Sequence, residues 1–151
     1  MKMTARRLRW LMNIWSPFRG AKIKVVSITE DFREVHVELR PGLLNRNYVG
    51  THFGGSLFAM TDPFYMLMLL QCLGRDYIVW DKDASIRFLK PGTGTVHAVF
   101  RLSDAELGEI RQQADTQGKV EPVFTVQVLD RDGEAVAEVS KTLYIRKKPG
   151  R

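Results

Sequence analysis

Asp62 stands inside an apolar stretch, GTHFGGSLFAMTDPFYMLMLLQCLG, that runs from Gly50 to Gly74, and two glycines, Gly54 and Gly55, lie near its front. Those residue types can do chemistry together. Backbone N–H groups at a helix start lack intrahelical partners and sit at the positive end of the dipole, so they can hold a developing oxyanion. Glycines there let another molecule come close to the backbone. A carboxylate can serve as base or nucleophile at a carbonyl carbon. Burial beside apolar side chains should raise the pKa of Asp62 and suit it to the role of general base. A purely structural role competes: Pro63 has no N–H, so the Ala59 carbonyl loses its usual helical partner and Asp62 could simply cap the kink.

Gly54 and Asp62 are eight residues apart, which is roughly 12 Å along a helix. They cannot both touch one carbonyl. Two copies with antiparallel helices would bring Gly54 of one near Asp62 of the other, making a homo-oligomer part of the mechanism. Asn47 and His52 lie just upstream. Asn47 could orient a water or fold its loop, and His52 could be a base or a solvated loop histidine. His36 and His97 sit on the polar parity of strand-like segments and carry no assigned chemistry. No His/Asp/Glu cluster has metal-ligand spacing, and DRDG at 130–133 lacks the other ligands of a calcium loop.

These residues need elements to hold them. Thr4 to Trp15 has Leu8, Leu11, Met12 and Trp15 at helical spacing with arginines opposite, and Ser16-Pro17 ends it. The period then becomes two. Ile23, Val25 and Ile28 alternate roughly with polar residues, Val26 suggesting a bulge, and Val35, Val37 and Leu39 form a second strand after a turn near Glu30-Asp31. Beyond the apolar helix, Ala84, Ile86 and Phe88 form a strand to Lys90-Pro91-Gly92, and Val96, Ala98, Phe100 and Leu102 form the next. Ser103-Asp-Ala-Glu106 has the form of a capping box opening a short helix that fades near Gly118. Two last strands, Val120–Leu129 and Glu134–Ile145, flank the hairpin signal DRDG, with Ala135, Ala137, Val139, Leu143 and Ile145 on one parity. A helix apolar on nearly every side must be surrounded. The pattern predicts an α+β fold: one curved antiparallel sheet wrapped around one long apolar helix.

The chain has 151 residues, the size of one domain, and residues 1–151 read as a single unit without linker or repeat. Leu57 to Leu70 is fourteen residues, short of the roughly 20 that span a bilayer. The N-terminus lacks the apolar core and cleavage site of a secretory signal. Cys72 is the single cysteine, so a disulfide framework within the chain is excluded, and a cytoplasmic location is expected. The net charge is +6, concentrated at the ends in Lys2, Arg6, Arg7 and Arg9 and in Arg146, Lys147, Lys148 and Arg151. No nucleic-acid motif accompanies it, so nucleic acid is not expected as a partner. The basic N-terminal helix leaves weak membrane-surface contact open beside packing across the domain.

In order and spacing these segments resemble the hotdog-fold superfamily of acyl-thioester enzymes. In its phenylacetate-pathway type of thioesterase the loop and helix start read N-x-x-G-T-x-H-G-G, with an acidic residue seven positions after the last glycine. Asn47, Gly50, Thr51, Gly54 and Gly55 match here, and Asp62 lies seven positions after Gly55. Phe53 takes the place of the motif's histidine, while His52 lies one residue earlier. ASIRFLKPGTGTV is similar to the superfamily's strand that ends in Phe-Leu-Lys-Pro before a glycine turn. The whole string is similar to a bacterial thioesterase-like branch known mainly as a domain of unknown function, and the likeness covers about residues 20–146.

That resemblance implies a hotdog fold and a homodimer or dimer of dimers. It implies hydrolysis of an acyl thioester of coenzyme A or of an acyl-carrier protein, at a site shared between copies. Asp62 would be the base or nucleophile and Gly54/Gly55 the oxyanion donors, with Asn47 and His52 assisting. No metal or redox cofactor is implied; coenzyme A or phosphopantetheine enters only as part of the substrate. Phe53, Phe58, Phe64 and Tyr65 would line the acyl chain, and Arg87 and Lys90 would meet the nucleotide or phosphopantetheine end. Two other readings stay open: a non-catalytic acyl-ligand binding or regulatory module, and a dehydratase or hydratase that depends on His52.

Overall fold

The computed structural model describes residues 3–150; Lys2 and Arg151, two of the terminal cations, lie outside them. Helix α1 (Ala5–Ile14) opens with Thr4 accepting from the Arg7 N–H, and it turns Ala5, Leu8 and Met12 inward. Ser16-Pro17 does not simply end this helix. It starts a second, α2 (Ser16–Ala21), because a proline in the first helical turn lacks only an N–H that would go unpaired there and brings a preset φ.

Strands β1 (Ile23–Ile28) and β2 (Glu34–Leu39) pair antiparallel. The expected bulge is there, a register shift between Val25 and Ser27. After an irregular loop come α3 (Gly54–Ala59) and α4 (Phe64–Leu73), which together form the long apolar helix, broken at Met60–Pro63. Strand β3 (Tyr77–Phe88) begins well before Ala84, where the sequence pattern places its start. Its first half, YIVWDKD, hides from a period-two reading because Tyr77–Trp80 are all apolar, and a bulge between Asp81 and Asp83 then shifts the register. Then follow β4 (Val96–Arg101), α5 (Asp104–Gln117), the two-residue β5 (Lys119–Val120), β6 (Val123–Leu129) and β7 (Ala135–Lys147). The Ser103–Glu106 capping box at α5 forms in full.

The strands make one antiparallel sheet in the order β1-β2-β4-β6-β7-β3, with β5 added to β7. The sheet's inner face meets the broken helix. Phe64 and Tyr65 pack on Phe100, and Tyr65 stacks on Phe124 with ring centroids 4.4 Å apart. Gly54–Leu73 has the length and apolar content of a membrane span, and here it is the core helix. The architecture is the expected hotdog arrangement.

The two sheet edges are treated differently. At β1 the Asn13 side chain takes both the N–H and the C=O of Val25, at 2.8 and 3.0 Å, and Arg9 donates to the Val26 carbonyl at 3.0 Å. Helix α1 therefore covers that edge. The β3 edge has no such cover among the described residues, and Phe88 and Leu89 at its end are exposed.

Candidate active site

Two cavities flank α3. One, of about 470 Å³, is lined by Asn47, Thr51, His52, Gly54, Leu57 and the segment from Phe88 to Gly92. The other, of about 270 Å³, is lined by Trp15, Pro17, Phe18, Gly55, Phe58, Ala59 and Asp62. Gly54 thus faces one side, while Gly55 lines the same cleft as Asp62 but lies seven residues, roughly 10 Å, along the helix from it. Within one chain the two halves of the expected machinery do not converge.

At the helix start, Ser56 and Leu57 both donate to the Phe53 carbonyl, at 3.0 and 3.2 Å. The N–H groups of Gly54 and Gly55 come before the first intrahelical bond and are left over. Closeness of approach is needed there, but the protein itself uses it: a Cβ on Gly54 would meet the Phe88 ring at 2.9 Å, and one on Gly55 would meet the Phe53 ring at 2.4 Å. The Phe53 ring thus packs on Gly55 and the Phe88 ring on Gly54.

His52 is not a solvated loop histidine. It is 4% exposed, its N–H donates to the Gly92 carbonyl at 2.8 Å, and its Nε2 lies 2.6 Å from the Gly94 carbonyl. A carbonyl only accepts, so Nε2 carries the proton and Nδ1 in the neutral ring is an acceptor. That Nδ1 is buried without a partner. Asn47 is occupied by its own loop: Nδ2 donates to Thr51 Oγ1 at 2.8 Å, and Oδ1 accepts from the Val49 and Thr51 N–H groups. These bonds hold the loop that carries His52.

Asp62 departs from expectation. Its side chain is 63% exposed, so the burial that was to tune it is absent in the single chain. Nor does the Ala59 carbonyl go unpartnered, since the Asp62 N–H reaches back to it at 3.2 Å. What holds Asp62 is Lys141, a residue the sequence pattern passes over. Lys141 is 0% exposed; its Nζ lies 3.3 Å from Asp62 Oδ1 and 3.1 Å from Asp81 Oδ2 and also donates to the Asp62 carbonyl. Burial pushes the Asp81 carboxyl above the usual carboxylate range, and Lys141 pulls it back in part. The signal was present: Lys141 falls between Val139 and Leu143 on the inward parity of β7, where every other residue from Ala137 to Ile145 is apolar.

The residues expected along the substrate divide. Phe58 lines the Asp62 cleft. Phe64 and Tyr65 do not line it; both are buried and packed into aromatic core contacts. Lys90 lines the His52 cavity, but its ammonium is taken by Asp130 at 2.6 Å and by Glu134, and these partners raise its pKa. Arg87 pairs across strands with Glu138, on the parity opposite to the inward row of Ala137 and Val139. It lies on the outer face of the sheet, away from both cavities. Among the described residues no group of three or more His, Cys, Asp or Glu side chains could hold a metal ion.

A family described as a domain of unknown function, DUF4442, matches residues 4–145. The chain belongs to this family. No curated protein matches the sequence. Among solved structures, this DUF4442 chain is similar to PA5026 of Pseudomonas aeruginosa, with a TM-score of 0.84 at 21% identity, covering 97% of this chain and 98% of that one. It is also similar to HI1161 of Haemophilus influenzae, with a TM-score of 0.69 at 15% identity over 100% of this chain and 96% of that one. PaaI of Escherichia coli gives a TM-score of 0.64 at 14% identity, over 96% and 93%. These likenesses establish the hotdog fold for this DUF4442 chain.

Proposed function

We propose that the protein hydrolyses an acyl thioester of coenzyme A or of an acyl-carrier protein, at a site shared between two copies of the chain. The observation that carries this reading is an accessible carboxylate, Asp62, lining an apolar cleft with Trp15, Pro17, Phe18, Gly55, Phe58 and Ala59. A flexible acyl chain suits such walls, and a carboxylate on the same cleft suits attack on the thioester carbonyl. Asp62 acts as base or nucleophile, and the unpaired N–H groups of Gly54 and Gly55 from the other copy receive the oxyanion. PA5026 and HI1161 carry the designations probable thioesterase and thioesterase, which agrees with the reading.

The distance along the helix from Gly54 and Gly55 to Asp62 and the uncovered surface support the second copy. Leu43, Leu44, Tyr48 and Val49 on the loop and Phe53, Phe88 and Leu89 beside α3 are all exposed, and the β3 edge is open. A partner chain would cover both. Coenzyme A or phosphopantetheine enters as part of the substrate, and the chain works in the cytoplasm.

His52 supports a second reading. Its buried, unpartnered Nδ1 belongs to a residue lining the same cavity as Gly54, as a proton-moving hydratase or dehydratase would need. Thiol release from acyl-coenzyme A thioesters of graded chain length separates the readings. Turnover with a preference for some lengths is expected. Binding without thiol release at any length would leave an acyl-binding module, and hydration of an enoyl thioester without thiol release would favour His52.

A further inference from the structure

We propose that Lys141 is the positioning residue of the site: its buried ammonium clamps both the carbonyl and the carboxylate of Asp62 across the helix break and so aims the carboxylate into the cleft. The inference rests on the assignment of Asp62 to the chemistry.

An ammonium has three donors, and three acceptors meet this one: the Asp62 carbonyl, Asp62 Oδ1 and Asp81 Oδ2. The titratable groups that face it are Asp62 from the break and Asp81 from β3; its ladder neighbours Ala84 and Phe124 carry no charge. Burial alone does not explain a lysine here. The inward row of β7 is Ala137, Val139, Leu143 and Ile145, and an apolar side chain would continue it without desolvating a charge. What the lysine adds is direction. Asp62 is mostly exposed, and a free surface carboxylate would sample several rotamers. With Oδ1 held, Oδ2 is the oxygen without a protein partner among the described residues, and it belongs to a residue that lines the cleft. The carbonyl contact fixes the same residue from its backbone side, where the break leaves helical order. Asp81 holds the lysine in turn, which explains why a carboxylate is kept half-buried on the inner face of an edge strand.

Lys141→Met tests this, because Met continues the apolar row. The expected result is a fall in kcat of about tenfold or more with KM little changed, since an interaction made for the reaction has been lost. In an Asp62→Asn background the same change should cost little further. Unchanged kcat with only a lower melting temperature, or a rise in KM with kcat kept, would overturn the proposal and leave Lys141 a structural residue. A second measurement does not depend on turnover or on the folding of that variant. In lysine side-chain 15N spectra at neutral pH, the Lys141 Nζ resonance should be visible and should move in Asp62→Asn. An unmoved resonance would overturn the pairing. If the wild type releases no thiol from any thioester, the hydrolase reading fails by itself, and the Nζ resonance still decides the clamp.

Discussion

Phe64 and Tyr65 show how residue type can mislead about residue role. Aromatic and methionine density around Asp62 suits an acyl chain, yet the fold uses these two rings for its core, where Phe64 touches Phe18 and Phe100 and Tyr65 stacks on Phe124. Phe64→Ala should therefore lower stability by about 3–5 kcal/mol, read by denaturant unfolding, rather than change acyl preference in a folded enzyme. Burial pushes the Tyr65 phenol up to about 12. The unfolded phenol ionises near 10, so between those values the native state holds a proton that the unfolded state has lost. Stability is present below pH 10 and falls as the pH rises above it. Tyr65→Phe should flatten that alkaline fall, and a slope identical to wild type would contradict the assignment. Asp62 and Gly54/Gly55 stand out in the sequence as candidates because their types are odd in an apolar stretch. Lys141 was not legible, because its partners lie 60 and 79 positions away in sequence, and only the three-dimensional fold reveals them.

At the scale of elements, local chemistry made several features legible. The Val26 bulge, the DRDG hairpin and the capping box each depend on residues within a few positions of one another. Ser103→Ala should cost about 1 kcal/mol, measured as a lower denaturation midpoint, because Ser103 and Glu106 satisfy each other's backbone donors. Elements set by tertiary contacts were misread. The first half of β3 alternates in the fold, Tyr77 and Val79 inward and Trp80 outward onto Tyr144, but all four residues from Tyr77 to Trp80 are apolar and Asp81-Lys82-Asp83 imitates a turn. Pro17 reads as a stop, while in the fold it opens α2, whose Phe18 helps to wall the Asp62 cleft. The helix break near Pro63 was legible from the proline; that it displays a carboxylate rather than burying it was not.

At the scale of the molecule, an asymmetry organises the account. Helix α1 covers the β1 edge through Asn13 and Arg9, while the β3 edge, the exposed loop and the rings over the glycines lie open. If a second copy completes the site there, specific activity should fall on dilution in step with the loss of dimer mass by light scattering. Full activity in a monomer would contradict the shared site. Thiol release by the wild type and by Asp62→Asn, under saturating acyl-coenzyme A, tests the central claim most directly. The asparagine keeps the side chain's shape at a mostly exposed position, so the fold should survive. The account predicts a loss of kcat on the order of 100-fold or more, with the melting temperature little changed. Equal turnover in the two proteins would contradict it and move the chemistry away from the helix break.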